Sequence, residues 1–126
     1  MIKIGKAPYY ECSSKGDKRF SALYAKVNGK TIEEQYQRAK IFKDENGNPI
    51  SFKHVSKLIL MKETKGKKPI NIDEVSKLYK ELWKQYLLNN PLLLRGLKQQ
   101  SGLSDIFGQE GHNCQAITLW ELRNEL

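Results

Sequence analysis

The chain reads as α+β: one compact domain over residues 1–126, mainly helical, with a small sheet. Three observations carry this reading. Ile2-Lys3-Ile4 alternates with the period of a strand, and the weakly alternating run 20–27 ends at Asn28-Gly29, a dipeptide that favours tight hairpin turns. Thr31, with Glu34 three positions on, has the spacing of a helix capping box. From Asp73 onward Val75, Leu78, Leu82 and Tyr86, with Tyr79 and Trp83 beside them, make one apolar face, while Lys77, Lys80, Glu81 and Lys84 fall on the other.

Taken in order, residues 9–19 are polar, carry Ser13, Ser14, Gly16 and Asp17, and read as a loop. The first helix is expected over 31–42 with Ile32, Tyr36 and Ala39 inward. Residues 44–49 have loop chemistry. Phe52, Val55, Leu58, Ile59 and Met61 recur at near-helical spacing until the segment 65–69 stops them. Asp73 is expected to cap the long helix, which Asn89-Asn90-Pro91 breaks. A short leucine-rich helix follows to about Gly102, then a strand over 103–107, a glycine-rich loop and a last helix from about Asn113.

Composition narrows the partners. No apolar run approaches the roughly 18 residues needed to span a bilayer, and the first residues lack the apolar core of a secretory signal, so a cytoplasmic protein with no membrane partner is expected. Cys12, Cys114, His54 and His112 show no metal-site spacing, so neither a metal nor a cofactor is expected, and the thiols are read as reduced. The formal charge of +8 is one-sided. Residues 1–70 hold 16 Lys plus Arg against 7 acids, net +9, whereas 71–126 hold 6 against 7, net −1. A basic half attracts polyanions such as nucleic acid or phosphorylated ligands, though lysines also serve as ordinary solvated helix faces.

Two segments carry chemistry. Asp105, Phe107, Gly108, Gly111 and Asn113 form D-x-F-G-x-x-G-x-N before the last helix, and a glycine-rich loop running into a helix start offers backbone N–H groups to an anion. On the first helix Glu33, Gln37 and Lys40, with Tyr36 one step round, make a polar ridge able to line a cleft or to face water. Cleaving a glycosidic bond needs stabilisation of an oxocarbenium-like centre and a guided water, which two acids supply. Glu33 and Asp105 are the candidate pair; Asp105 would equally terminate a strand or cap a turn. His112 is a candidate acid or base or a surface residue, and Lys15 and Arg19 in the basic Ser/Gly loop are candidate diphosphate ligands. Cys114, Trp83 and Trp120 read as packing residues.

The run Phe20-Ser21-Ala22-Leu23-Tyr24, then Gly29-Lys30-Thr31-Ile32-Glu33-Glu34-Gln35-Tyr36-Gln37-Arg38-Ala39-Lys40, resembles the F-S-N-F-Y … G-K … T-x-E-H-x-Y-Q-A-x-K signature of the NADAR (YbiA-like) family. Asp105-Ile106-Phe107-Gly108, Gly111-His112-Asn113 and Leu119-Trp120-Glu121-Leu122-Arg123 are similar to that family's ending. The resemblance implies a compact, mainly helical α+β domain with N-glycosidase activity on ribose-linked nucleotides or ADP-ribosyl substrates. It assigns site roles to Glu33, Tyr36, Gln37, Lys40, Asp105, Gly111 and Asn113. The departures are Glu34 for histidine, Ala22 for asparagine, Phe107 for tryptophan and Gln115-Ala116 for Leu-Gly, with a shorter stretch between Lys40 and Asp73. They leave open a domain that binds a nucleotide without cleaving it. The alternative is a non-catalytic basic module, of phage-encoded type, that binds nucleic acid or a nucleotide ligand. A third reading is an inhibitor packing on another protein. Oligomeric state is left open.

Overall fold

The computed structural model describes residues 1–109, 111 and 113–126, and shows a compact α+β fold. In chain order the elements are β1 (Ile2–Gly5), β2 (Tyr9–Glu11), a 3₁₀ turn (Lys18–Phe20), β3 (Lys26–Val27), β4 (Lys30–Thr31), α1 (Ile32–Ala39), β5 (Ile41–Lys43), β6 (Pro49–Ser51), α2 (Lys57–Thr64), α3 (Ile72–Leu88), α4 (Pro91–Lys98), β7 (Gly102–Asp105) and α5 (Gln115–Glu125). The main sheet has the order β1-β7-β2. β7 runs antiparallel to β1, with Ile2 opposite Asp105, and parallel to β2, with Glu11 opposite Ser104. All four β7 residues are buried. Gly102 is required there, because a Cβ would lie 2.4 Å from the Lys6 carbonyl oxygen.

Local chemistry explains most boundaries. Asn28 (φ 55°) and Gly29 (φ 81°) both take the left-handed conformation of a tight hairpin turn and join β3 to β4. Thr31 then caps α1, its Oγ1 accepting from the Glu34 N–H at 3.2 Å. The Glu34 side chain does not complete the box; it pairs with Arg38 at 3.1 Å. The strand expected over 20–27 is confined to Lys26–Val27, because the Ser21 carbonyl takes turn hydrogen bonds from the N–H groups of Tyr24 and Ala25. The loop expected over 9–19 contains β2 and the start of the 3₁₀ turn, capped by Asp17.

Helix α1 ends at Ala39, three residues before the expected Phe42. Lys40 is extended, and the Asn71 side chain clamps the exit, accepting from the Ile41 N–H and donating to the Ala39 carbonyl. Asn71, not Asp73, occupies the N-cap of α3; Asp73 sits in the first turn, where its charge suits the helix dipole. The last helix begins at Gln115 rather than Asn113.

Helix α3 packs against α1, α4 and α5, and Trp83, Leu87, Leu97, Leu103, Leu119 and Ile32 are fully buried around it. A separate small core of Phe42, Phe52 and Leu60, with Val55 against it, holds the β5–β6 hairpin to α2. There the inward residue of α2 is Leu60; Leu58, Ile59 and Met61, expected in the helical stripe, are exposed. Arg38 ties this unit to α1 by donating to the carbonyls of Lys53 and Val55. No helix of the described residues is long and apolar enough to cross a membrane.

Candidate active-site cleft

The two expected carboxylates come to one place. Glu33 lies in the first turn of α1, its N–H donating to the Ala22 carbonyl, and Asp105 ends β7. They line a cleft of about 430 Å³ together with Ser14, Ser21, Ala22, Leu23, Tyr79, Phe107, Asn113 and Gln115. Among the described residues neither carboxylate has a salt-bridge partner.

Each is held by neutral donors. Gln37 donates to Glu33 Oε1 at 2.8 Å, so two members of the α1 ridge meet. Asp105 is buried; its Oδ1 accepts from the Phe107 N–H at 3.0 Å and its Oδ2 from Gln115 Nε2 at 3.0 Å, with the Cys114 Sγ at 3.5 Å. Gln115 in turn accepts the Ala22 N–H at 2.8 Å, so the carboxylate braces the wall formed by residues 21–23 through one amide.

Asn113 joins the two halves. Its Nδ2 donates to the Tyr36 hydroxyl at 2.8 Å and to Ser76 Oγ at 3.1 Å. Tyr36 stands edge-on to Tyr79, ring centroids 4.9 Å apart, and the Lys40 ammonium lies over the Tyr36 ring, 4.5 Å from its centroid. Burial lowers the Lys40 pKa, against the opposing charge of Glu33. Burial also raises the Tyr36 pKa, with the Asn113 hydrogen bond acting the other way. Beyond Asn113 a second, 280 Å³ groove runs between α3 and α5, with Lys77, Lys80 and Glu121 on its walls.

Chain comparison gives no relative: no protein-family model, curated protein or solved structure matches. The geometry alone therefore sorts the remaining expectations. Phe107 is exposed at the rim. Gly108 is set by packing, since a Cβ would lie 2.7 Å from the Ile2 side chain and 3.0 Å from the Cys114 sulfur. Gly111 has φ 79° with open space around it. His112 lies outside the described residues. Lys15 and Arg19 are not among the described residues lining the cleft; Arg19 is engaged by Asp17 at 2.6 Å, and from that loop Ser14 is the residue that reaches it. Both cysteines are buried and unbridged, and burial pushes both thiols above their ordinary pKa.

Several residues that line or brace the cleft are not legible as site residues in the sequence, among them Leu23, Tyr79, Ser76 and Gln115. Tyr79 belongs to the inner stripe of α3 and reads as core. Ser76, one turn earlier, reads as a neutral helix position, and Gln115 as the start of a helix. The only sequence signal for Gln115 was its place two residues after Asn113 in the motif.

Proposed function

We propose that the cleft is the active site of an N-glycosidase-type hydrolase acting on a ribose-linked nucleotide or ADP-ribosyl substrate, in a divergent and shortened chain of NADAR type. The observation that supports this is the meeting of Glu33 and Asp105, two carboxylates without cationic partners among the described residues, in one cleft. Negative charge not tied up in a salt bridge, in a partly desolvated site, favours positive charge developing on a ribosyl ring.

In this reading Glu33, oriented by Gln37, takes a proton from a water whose oxygen bonds to the anomeric carbon. The C–N glycosidic bond breaks as that bond forms, and the departing base keeps the electron pair. Asp105, in the same cleft, stabilises the ribosyl cation, while fixing Phe107 and Gln115. Lys40 supplies positive charge beside Glu33 for a substrate phosphate. The reaction requires no metal or cofactor.

The test is to incubate the protein with NAD, ADP-ribose, ADP-ribosylated guanine DNA and phosphorylated pyrimidine nucleosides, and to read products by mass spectrometry. A free base or ribose phosphate is expected, with Glu33→Gln at least about 100-fold slower while its melting temperature is unchanged. Equal turnover by Glu33→Gln would refute the assigned role.

The uneven charge favours a second reading, a basic module that binds nucleic acid through residues 1–70. Its affinity for a DNA duplex should fall linearly on a log–log plot against salt. A flat salt response removes that reading.

A further inference from the structure

Tyr79 is only 3% exposed, yet it is a cleft-lining residue. Among the described residues no hydrogen bond within geometric limits reaches its hydroxyl: of the cleft amides, Asn113 spends its Nδ2 on Tyr36 and Ser76, and Gln115 its Nε2 on Asp105. The Trp83 indole N–H comes towards it from the core without reaching hydrogen-bond geometry and is itself unpartnered among the described residues. The ring is buried, but the hydroxyl is not among the fully enclosed unpartnered atoms, so its oxygen keeps access to the cleft and can bond a ligand or water there. Burial raises the Tyr79 pKa, with Trp83 acting the other way, so the group stays protonated and is a donor near neutral pH.

The rim has the opposite character. Leu23 is 55% exposed and Phe107 60% exposed, and both line the same cleft. Large apolar side chains left open along the cleft suit a flat, unsaturated ring, which stacks on an aromatic face with little dependence on its hydrogen-bonding edge.

We propose that the cleft takes a nucleoside-like ligand in one orientation, its planar base between Leu23 and Phe107 at the rim and its sugar at the floor, where one sugar oxygen accepts a hydrogen bond from Tyr79. This rests on the reading of the cleft as the ligand site, and it adds Tyr79 and Leu23 as residues that select a base joined to a hydroxylated sugar.

Three probes separate the parts: AMP carries base and sugar, ribose 5-phosphate lacks the base, and adenine lacks the sugar. Calorimetry on wild type, Tyr79→Phe and Phe107→Ala is expected to show AMP binding most tightly to wild type. Tyr79→Phe, which keeps the ring and its packing, should weaken AMP and ribose 5-phosphate about 10- to 100-fold and leave adenine unchanged. Phe107→Ala, at an exposed position, should weaken AMP and adenine about 5- to 100-fold and leave ribose 5-phosphate unchanged. Unaltered affinities in both variants, or no binding of any probe by wild type, would overturn the orientation. Measured beside the product assay, the two readings part: turnover with an unchanged Tyr79→Phe profile overturns the orientation alone, and the expected binding pattern without product from any substrate overturns the hydrolase alone.

Discussion

Trp83→Ala is expected to lower the free energy of unfolding by about 3–5 kcal/mol. Trp83 is fully buried at the centre of α3, edge-on to Tyr86 at 5.4 Å, in the cluster that also holds Leu87, Leu97, Leu103 and Leu119. Removing the indole deletes the largest buried side chain and leaves a cavity walled by helices that α4, β7 and α5 keep apart, so little collapse can refill it. Domains of this size are stable by only about 5–15 kcal/mol, so the variant should sit close to its unfolding transition at room temperature. Urea midpoints at constant slope measure it. A loss under about 1 kcal/mol would mean that the helices close over the space and that the core is far more pliable than its packing implies.

Glu11→Gln should cost about 2–3 kcal/mol, a large effect for an isosteric change. The Glu11 carboxylate clips the start of the chain to the end of the central strand. One oxygen accepts the Ser104 hydroxyl at 2.8 Å; the other accepts the backbone N–H groups of Ser13 at 3.0 Å and Ile106 at 3.1 Å. An amide in its place sets an NH₂ against donors. The same contacts give a pH signature. Although burial acts to raise it, hydrogen bonds from Ser13, Ser104 and Ile106 hold the Glu11 pKa below its ordinary 4.5. Its contribution is therefore complete above that ordinary value and is lost as pH falls through the lower folded value. Asp17 acts in the same sense, held down to about 2 chiefly by Arg19. Wild type should lose stability on acidification below about pH 4.5, and Glu11→Gln should show a shallower loss. Parallel pH profiles for the two proteins would show that Glu11 is not coupled to folding.

The fold class and the long helices were readable because their signals are strong and local: the apolar stripe of α3, the Asn-Gly turn before α1, the Pro91 break. The short strands were harder. β2 has three residues and no alternation, and it is a strand only because β7, ninety residues away, lies beside it. The outward face of α2 misled for a related reason: the helix covers a two-stranded hairpin that needs one leucine, Leu60, so its other apolar residues stay in water. At the cleft, Glu33, Asp105, Tyr36, Gln37 and Asn113 were visible as residue types, but not that Glu33 and Asp105 share one cleft. Tyr79 was not, because an aromatic on an inner helical stripe looks the same in sequence whether its hydroxyl end meets the core or a cavity.

The hairpin and α2 carry their own small core and are fastened to the rest by few points: Arg38 to the carbonyls of Lys53 and Val55, Asn71 to both sides of Lys40, and the Ile70 N–H to the Ile41 carbonyl at 2.7 Å. Such a unit is expected to open by local unfolding at a free energy below that of the whole molecule, and hydrogen exchange should then reach its amides before those around the Trp83 core. Because Asn71 grips the backbone on either side of Lys40, each opening also loosens the end of α1 that carries the cation over Tyr36. The breathing of this peripheral unit is thereby passed to the ammonium that sits over Tyr36 and acts on Glu33.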